Sequence, residues 1–342
     1  MYQNAEIVHW MRHQDTHIII PAHADIDLTN ICNQDCFYCN SRDFRREHPV
    51  SRNYQDYLKL LEQLSLWRQH SPKSYGTLHS LSFPGGGEPT VLKNYEVVLE
   101  RAIDLGFLIS LTTNGSKLEN LIENVHPDKI RQMAWVGIDI DAGNEIMYEQ
   151  IRRSLTKTSL FERVMHNARS LVDIGAKVDF KVLLSELNST DTELESLFEL
   201  AAKIQVRMLY FRPMIINQRI FQFTEQILKK LETLSEQYSV KYKTNQGKHL
   251  PRTYNRCHQM FQFPVFAADG QIYICCENRG NPRFSIGSWI DNDPRDIWLN
   301  DLHKEIYSKI NTHLCPPCRP NRNNREIQAC MDDPSLLENL YV

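Results

Sequence analysis

The sequence contains no run approaching the roughly 18 consecutive apolar residues that a membrane-spanning helix requires. Its N-terminal segment, with Glu6, His9, Arg12, His13 and Asp15, lacks the apolar core of a secretory signal and the Arg-rich character of a transit peptide. These absences predict a cytoplasmic protein with no membrane partner. A basic excess is missing too: 39 Lys and Arg stand against 42 Asp and Glu, for a formal net charge of -3 and a sequence pI near 6.5. Proteins whose main partner is bulk nucleic acid usually carry that excess, so that role is excluded. Internal repeats and low-complexity tracts are absent. With 42% hydrophobic and 24% charged residues in a chain of 342, the composition suits one large or two moderate globular domains.

What the chain does have is cysteine, nine in all. The cytosol keeps thiols reduced, so these are not a disulfide framework; clustered cysteines there bind metal or do chemistry. They fall in two groups: Cys32, Cys36 and Cys39, then Cys257, Cys275, Cys276, Cys315, Cys318 and Cys330. Two separate metal sites are expected.

Between about Asp25 and Met214, short apolar runs alternate with longer amphipathic ones, the pattern of parallel strands joined by crossover helices. Strands are expected at 24–27, 78–83, 108–112, 134–140, 177–184 and 206–211. Thr190 and Glu193 read as a capping box, with Leu194, Leu197, Phe198 and Ala201 at helical spacing behind them, a core-packing stripe. Right-handed crossovers then favour a curved parallel sheet with helices outside. The stretch 217–247 is polar and carries a helix pattern in Ile227, Leu228, Leu231 and Leu234, and the segment 216–256 reads as a bridge. Beyond Cys257, β-like runs at 262–266 and 271–274, broken by Asp269-Gly270 and Asn278-Arg279-Gly280, suggest a small hairpin domain.

Cys32, Cys36 and Cys39 form CxxxCxxC just after the first expected strand. Three thiolates this close can ligate three irons of a 4Fe–4S cube and leave the fourth open to an external ligand. A zinc knuckle short of one ligand, or three buried cysteines, would read the same. Pro84-Gly85-Gly86-Gly87-Glu88-Pro89 closes the second strand; its glycines permit close backbone approach, and the following carboxylate can accept from an ammonium. Alone, it is equally a tight turn. Together the two motifs resemble the radical SAM superfamily, whose enzymes use S-adenosylmethionine (SAM).

That resemblance, over about residues 25 to 215, implies an α/β fold: a partial (β/α)6 barrel at 23–215 following an N-terminal extension at 1–22. It assigns Cys32, Cys36 and Cys39 to the catalytic cluster and Tyr38 to adenine. Gly86, Gly87 and Glu88 fall to the SAM amino group. Asn114, in Thr113-Asn114-Gly115, joins the set, as does Asp139, which stands where the family commonly has Ser for the ribose. Arg152, in Tyr148-Glu149-Gln150-Ile151-Arg152, is a candidate for the SAM carboxylate, with a solvated helix face as the alternative. Asn188 and Arg212 are further candidate contacts at late strand ends. The resemblance also implies one-electron cleavage of SAM to a 5′-deoxyadenosyl radical, with flavodoxin or ferredoxin as electron donor.

Cys257, Cys275, Cys315 and Cys318 could complete a second cube without an open iron, or hold a structural zinc with the same ligand set. Their spacing resembles the twitch domain, the shortened SPASM form, which implies an auxiliary 4Fe–4S cluster in a β-hairpin-plus-helix domain at 257–342. A full SPASM domain needs more cysteines than Cys276 and Cys330 provide. The pattern also departs from the GTP-cyclising relatives, which have a different C-terminal cysteine arrangement and an Arg-rich tail. The family implies two substrate classes. The first is a ribosomally made precursor peptide, altered by crosslinking, epimerisation or backbone excision of the splicease type. Few residues precede the first strand, so a separate leader-peptide recognition protein would be required. The second class is an aminocyclitol or sugar-like small molecule, oxidised by a dehydrogenase. A redox sensor would not need the GGE segment.

Overall fold

The computed structural model describes residues 2–13, 18–68, 74–216, 219–245 and 250–336. Parts of the expected N-terminal extension, bridge and C-terminal tail therefore lie outside the described residues. The fold is mixed α/β and its strands are mostly parallel. The strands used below are β1 His23–Ile26, β2 Ser80–Phe83, β3 Leu108–Thr113, β4 Trp135–Asp139, β5 Val178–Leu184, β6 Met208–Pro213, β7 Tyr242–Thr244, β8 Val265–Phe266, β9 Gln271–Tyr273 and β10 Ser285–Ser288. The helices used below are α1 Tyr95–Asp104, α2 Glu145–Arg152, α3 Phe161–Ile174, α4 Asp191–Ile204, α5 Glu225–Tyr238, α6 Asp301–Lys309 and α7 Asn321–Asp332. All six expected strands form, within a residue or two of their expected bounds at most ends. The chain divides into two compact units, one made of 28–54 and 83–246, the other of 1–27, 55–82 and 247–342.

In the first unit, β3 to β7 lie in the order β7-β6-β5-β4-β3, every neighbouring pair parallel. Alternation along each strand separates two faces. In β5, Val178, Phe180, Val182 and Leu184 are fully buried, and α3 packs on that strand. On β6, Phe211 stacks on Phe198 of α4 with ring centroids 6.1 Å apart, so the predicted stripe of Leu194, Leu197, Phe198 and Ala201 is core. Each of the two leucines and the phenylalanine contributes about 1.5–3 kcal/mol of burial. Thr190 caps α4 by accepting the Glu193 N–H, while the Glu193 carboxylate turns instead to the Asn144 amide at 3.1 Å.

The opposite face is polar. Lys181 Nζ donates to Thr112 Oγ1 at 2.7 Å and sits 3.9 Å from the Trp135 ring centroid, a cation–π contact. Gly137 makes this possible, since a Cβ there would stand 2.5 Å from Lys181 Cε. β7 was not foreseen. Thr224 caps α5 through the Ile227 N–H, and α5 buries Leu231 and Leu234, so the bridge holds its predicted helix and, beyond it, a strand parallel to β6.

In the second unit the order is β2-β1-β8-β9-β10. β8 pairs in parallel with β1, Val265 opposite Asp25, and antiparallel with β9. The predicted hairpin therefore continues the sheet that β1 begins. Its turn uses Gly270 at φ 92, a conformation that costs glycine nothing. Trp289 Nε1 donates to Ala267 O at 2.9 Å, and Trp298 Nε1 to Ile19 O at 2.8 Å. The N-terminal helix Tyr2–His13 packs along α7.

Candidate functional site

The loop bearing Cys32, Cys36 and Cys39 follows the residues after β1 and is fixed from several directions. Asn30 N–H donates to Val50 O at 2.8 Å, Gly87 N–H to Thr29 O at 2.7 Å, and Glu88 N–H to Ile31 O at 2.9 Å. The glycine segment is thus stitched directly to the cysteine loop. Gly87 has no room for a side chain, because a Cβ would lie 2.1 Å from Ile31 O. Gly85 supplies the left-handed turn at φ 74. On the other flank, Asp35 N–H reaches Arg153 O at 2.9 Å and Leu155 N–H reaches Asn33 O at 3.1 Å. Asn114 ties in from the end of β3, its amide donating to Asn33 Oδ1 at 2.8 Å.

Glu88 is buried, and both its oxygens are committed. Oε1 accepts from Thr113 Oγ1 at 2.6 Å and from the Thr90 hydroxyl and N–H, while Oε2 accepts the Asn114 N–H at 2.7 Å. Burial pushes its carboxyl up, against the pull of these four donors. Arg152 lies inside the protein, so it is not a solvated face. Its Nη1 donates to Asp141 at 2.9 Å and to Tyr38 Oη at 2.6 Å, and its Nε to Gln34 at 3.1 Å. Tyr38 also donates to Asp141, so the ring beside Cys36 and Cys39 is held by a buried ion pair. Burial first, and then the Asp141 and Cys36 charges, raise the Tyr38 hydroxyl well above its ordinary value, and it stays protonated.

Asp141 itself escaped sequence reasoning. It adopts φ 59, and its other oxygen accepts the Leu183 N–H at 2.7 Å. Asn188 completes the knot by donating to Asp141 O at 2.8 Å. Asp139, two residues earlier, is half-buried and pairs with Arg212 at 3.3 Å. The structure therefore brings together Cys36, Tyr38 and Arg152, and separately Glu88 with Asn114 and the cysteine loop. Arg45, also unforeseen, extends from the helix Arg42–Glu47 to Cys39 Sγ at 3.5 Å.

The second group forms a cavity of about 40 Å³. Cys257, Cys275, Cys315 and Cys318 all line it, together with Cys276, Met260, Phe263 and Ile274. Burial pushes the Cys257 thiol up to about 12, with the Cys275, Cys318 and Cys315 thiolates adding repulsion. Two amides serve the sulfurs: Asn278 Nδ2 lies 3.2 Å from Cys275 Sγ, and Asn324 Nδ2 3.5 Å from Cys257 Sγ. Among the described residues, no three His, Cys, Asp or Glu side chains are arranged to hold a single metal ion. Cys276 packs against Val265, Ala267 and Tyr273, and Cys330 is buried in α7.

An ion network that the sequence did not disclose fixes this region to β1. Arg319, next to Cys318, donates to Asp25 at 2.9 Å, and Arg279 donates to Asp27 at 2.5 Å and to Cys276 O at 2.5 Å. Burial alone would raise both carboxyls; Arg319, His23 and Arg279 hold Asp25 well below the usual range, whereas Asp27 is pushed up to about 6. One oxygen of Asp27 is buried with no hydrogen-bond partner. No described helix is long and apolar enough to cross a membrane.

The radical SAM superfamily model matches residues 26–201. Among curated proteins, the chain is 29% identical over 185 residues to a probable GTP 3′,8-cyclase of Methanocaldococcus jannaschii, covering 53% of this chain and 56% of that protein. It is 27% identical over 215 residues to the 7,8-dihydro-6-hydroxymethylpterin dimethyltransferase of the same organism, covering 62% of this chain and 39% of that one. The match thus spans about half the length of these relatives. Among solved structures, Streptococcus suis SuiB bound to precursor peptide SuiA aligns with a TM-score of 0.64 at 14% identity, over 89% of this chain and 70% of SuiB. The enzyme anSMEcpe with bound AdoMet and Cp18Cys peptide aligns with a TM-score of 0.57 at 14% identity, over 90% of this chain and 88% of that one.

Proposed function

The chain belongs to the radical SAM superfamily, and from that premise we propose that it modifies a ribosomally made precursor peptide, using two iron–sulfur clusters. Membership implies a 4Fe–4S cluster and SAM. The donor set fits: Cys32, Cys36 and Cys39 offer three soft thiolates on one pinned loop, leaving one corner of a cube for an external ligand. When bound, the pair supplies a 5′-deoxyadenosyl radical by one-electron cleavage of the sulfonium, and with it hydrogen abstraction from unactivated carbon.

The protein's own share is placement. Tyr38, clamped by Arg152 and Asp141, presents a rigid ring next to the cysteines for adenine. The Gly86-Gly87 backbone would take the ammonium, and Asp139 the ribose. Glu88, Asn114 and Arg152 spend their polar atoms on the loops around the cysteines, so their contribution is to fix those loops before SAM arrives. Cys257, Cys275, Cys315 and Cys318 would hold the auxiliary cluster. Four thiols from three separate segments lining one small cavity support this reading, and the amides on Cys275 and Cys257 are the kind of donor that tunes such a cluster. Burial raises the Cys257, Cys275 and Cys315 thiols, so loading must release protons.

The observation that carries the peptide reading is an open cavity of about 860 Å³ just beyond β5 and β6. Met214, Ile216 and Phe221 line it beside Glu186, Arg219 and Gln222. Apolar surface for side chains interleaved with groups that can pair a backbone suits an extended chain, at the strand ends where barrel ligands gather. The folds of two peptide-bound enzymes align over most of the chain. The names of the curated relatives favour a second reading, a small-molecule substrate. Co-expression with candidate precursor peptides, including any encoded beside this protein, followed by mass spectrometry, separates the two. A SAM-dependent mass change in a peptide supports the first reading. Unchanged peptides, together with turnover of a nucleotide, pterin or cyclitol by the purified enzyme, would falsify it.

A further inference from the structure

The helix Arg42–Glu47 follows Cys39 closely in the chain and carries Arg42, Arg45 and Arg46. It is locked to the cysteine loop: Arg42 N–H donates to Cys39 O at 3.3 Å, and the Arg42 guanidinium to Cys36 O at 2.5 Å. One carboxylate neutralises two of the three arginines, since Arg42 and Arg46 pair with Asp35 at 3.0 and 3.4 Å. Arg45 is placed differently. Among the described residues it pairs with no carboxylate, and its Nη2 donates instead to Cys39 Sγ at 3.5 Å. Its Nε is buried with no hydrogen-bond partner.

A guanidinium drawn partly out of water costs stability unless negative charge compensates it. Here the compensating atoms are sulfurs. Cys39, Cys32 and Cys36 all lie near enough for their thiolate charges to act on Arg45, so the guanidinium serves the whole three-cysteine set and not one residue. A cube on these thiolates becomes more negative on reduction, and its potential depends on net charge, on hydrogen bonds to the sulfurs and on solvent exposure. A fixed cation with an N–H on a ligand sulfur favours the reduced state on the first two counts. The sulfides of a bound cube would also offer acceptors to the buried Nε–H.

We propose that Arg45 tunes the three-cysteine site, raising the reduction potential of the cluster held there so that a reductant fills it more readily. Arg45 is a positioning residue: it acts through the sulfurs, and its signature is a potential. The inference rests on the reading of Cys32, Cys36 and Cys39 as cluster ligands. In the reduction that it favours, the cube gains one electron and the reductant loses one, with no bond made or broken.

The test is an anaerobic redox titration of the reconstituted full-length protein with dithionite, followed by electron paramagnetic resonance, with iron content measured alongside. The signal that changes when SAM is added identifies the open cluster. Arg45→Met removes the charge and the donors but keeps an apolar stem. It should shift the reduction equilibrium at least tenfold toward the oxidised form, a potential more negative by about 59 mV per tenfold for one electron. Arg45→Lys restores the charge without the planar fork and should recover part of that shift. Arg46→Gln, on the same helix but paired with Asp35, should change nothing. If Arg45→Met holds the parent's iron and titrates with the parent, or if Arg46→Gln shifts as far, the role of Arg45 is refuted while the cluster reading stands. Should Arg45→Met take up less iron, Arg45→Lys decides: a several-fold shift in the same direction supports the proposal, and none overturns it. A parent protein with no SAM-responsive signal would defeat the cluster reading and this inference with it.

Discussion

The two cysteine sites are built on opposite plans. In the first, three cysteines share one loop, and that loop is held by backbone pairing to the glycine segment and by a buried polar knot at Asp141 and Arg152. In the second, cysteines from three segments meet around a small, mostly apolar cavity, and the fixing ion pairs, Asp25 with Arg319 and Asp27 with Arg279, tie this region to β1 and the residue after it. The difference matches the roles proposed for the two sites. A site that exchanges a ligand at an open corner needs its loop rigid while one side stays accessible. A site that closes around its metal can draw ligands from distant segments, because the metal itself will join them.

The contrast breaks most sharply at the cysteines. Cys36→Ala should reduce 5′-deoxyadenosine formation from SAM to background, a loss of at least about a thousandfold. Cys315→Ala should keep most SAM cleavage, lower bound iron by roughly half, and abolish product. Chromatography of 5′-deoxyadenosine and iron analysis read both; equal loss of SAM cleavage in the two variants would mean that the sites are not separable.

The next effect is on stability. Asp141→Leu strands the buried Arg152 guanidinium, and chemical denaturation should register a cost of about 3–5 kcal/mol. Adding Arg152→Met should recover part of that loss, because a buried pair replaced by apolar groups of similar size is often nearly neutral. No recovery would mean that the pair serves the fold in some way beyond charge compensation.

Acid should act on the two units with opposite sign. Burial lowers His303, stacked on Phe261, to about 4. The unfolded chain then binds the extra proton between about pH 6.5 and 4, so this contribution is complete above pH 6.5 and lost as pH falls toward 4, on the order of 2–3 kcal/mol. Glu88 is shifted the other way, its carboxyl raised by burial, so its contribution grows as pH falls and is lost as pH rises through its folded-state value. Thermal melts from pH 7 to 4 should show His303→Phe flattening the acid loss. If the slope is unchanged, His303 is not its source.

Gly87→Ala forces a methyl against the backbone at Ile31 O and should cost about 1–3 kcal/mol or more, together with weaker SAM binding by equilibrium dialysis. Normal stability with lost SAM affinity would place the glycine's role in the ligand rather than in the loop contact.

Much of the frame was legible because it depends on local pattern. The six strands from β1 to β6 follow from apolar runs, and the helix behind Thr190 from its cap and stripe. Arg152 shows where local reading stops. Its neighbourhood resembled a ligand-binding segment or an exposed helix face, but its actual partners are Asp141, Tyr38 and Gln34, the last two over a hundred positions away. Asp25 and Asp27 read as ordinary strand residues, and nothing nearby in sequence announces Arg279 or Arg319, about 250 to 295 positions downstream. The strand β7 was hidden in a polar stretch because an edge strand of three residues leaves almost no periodic signal.

By itself the sequence determined the parallel α/β frame, the open three-cysteine loop and the existence of a second thiol group, since spacing and periodicity are properties of neighbouring residues. Only the tertiary structure decided that Cys257, Cys275, Cys315 and Cys318 line one cavity, that Asp141 clamps Tyr38, and that β8 extends the sheet of β1. Those results depend on which distant segments are brought together when apolar surface is buried and buried charges find their partners, and no local pattern carries that information.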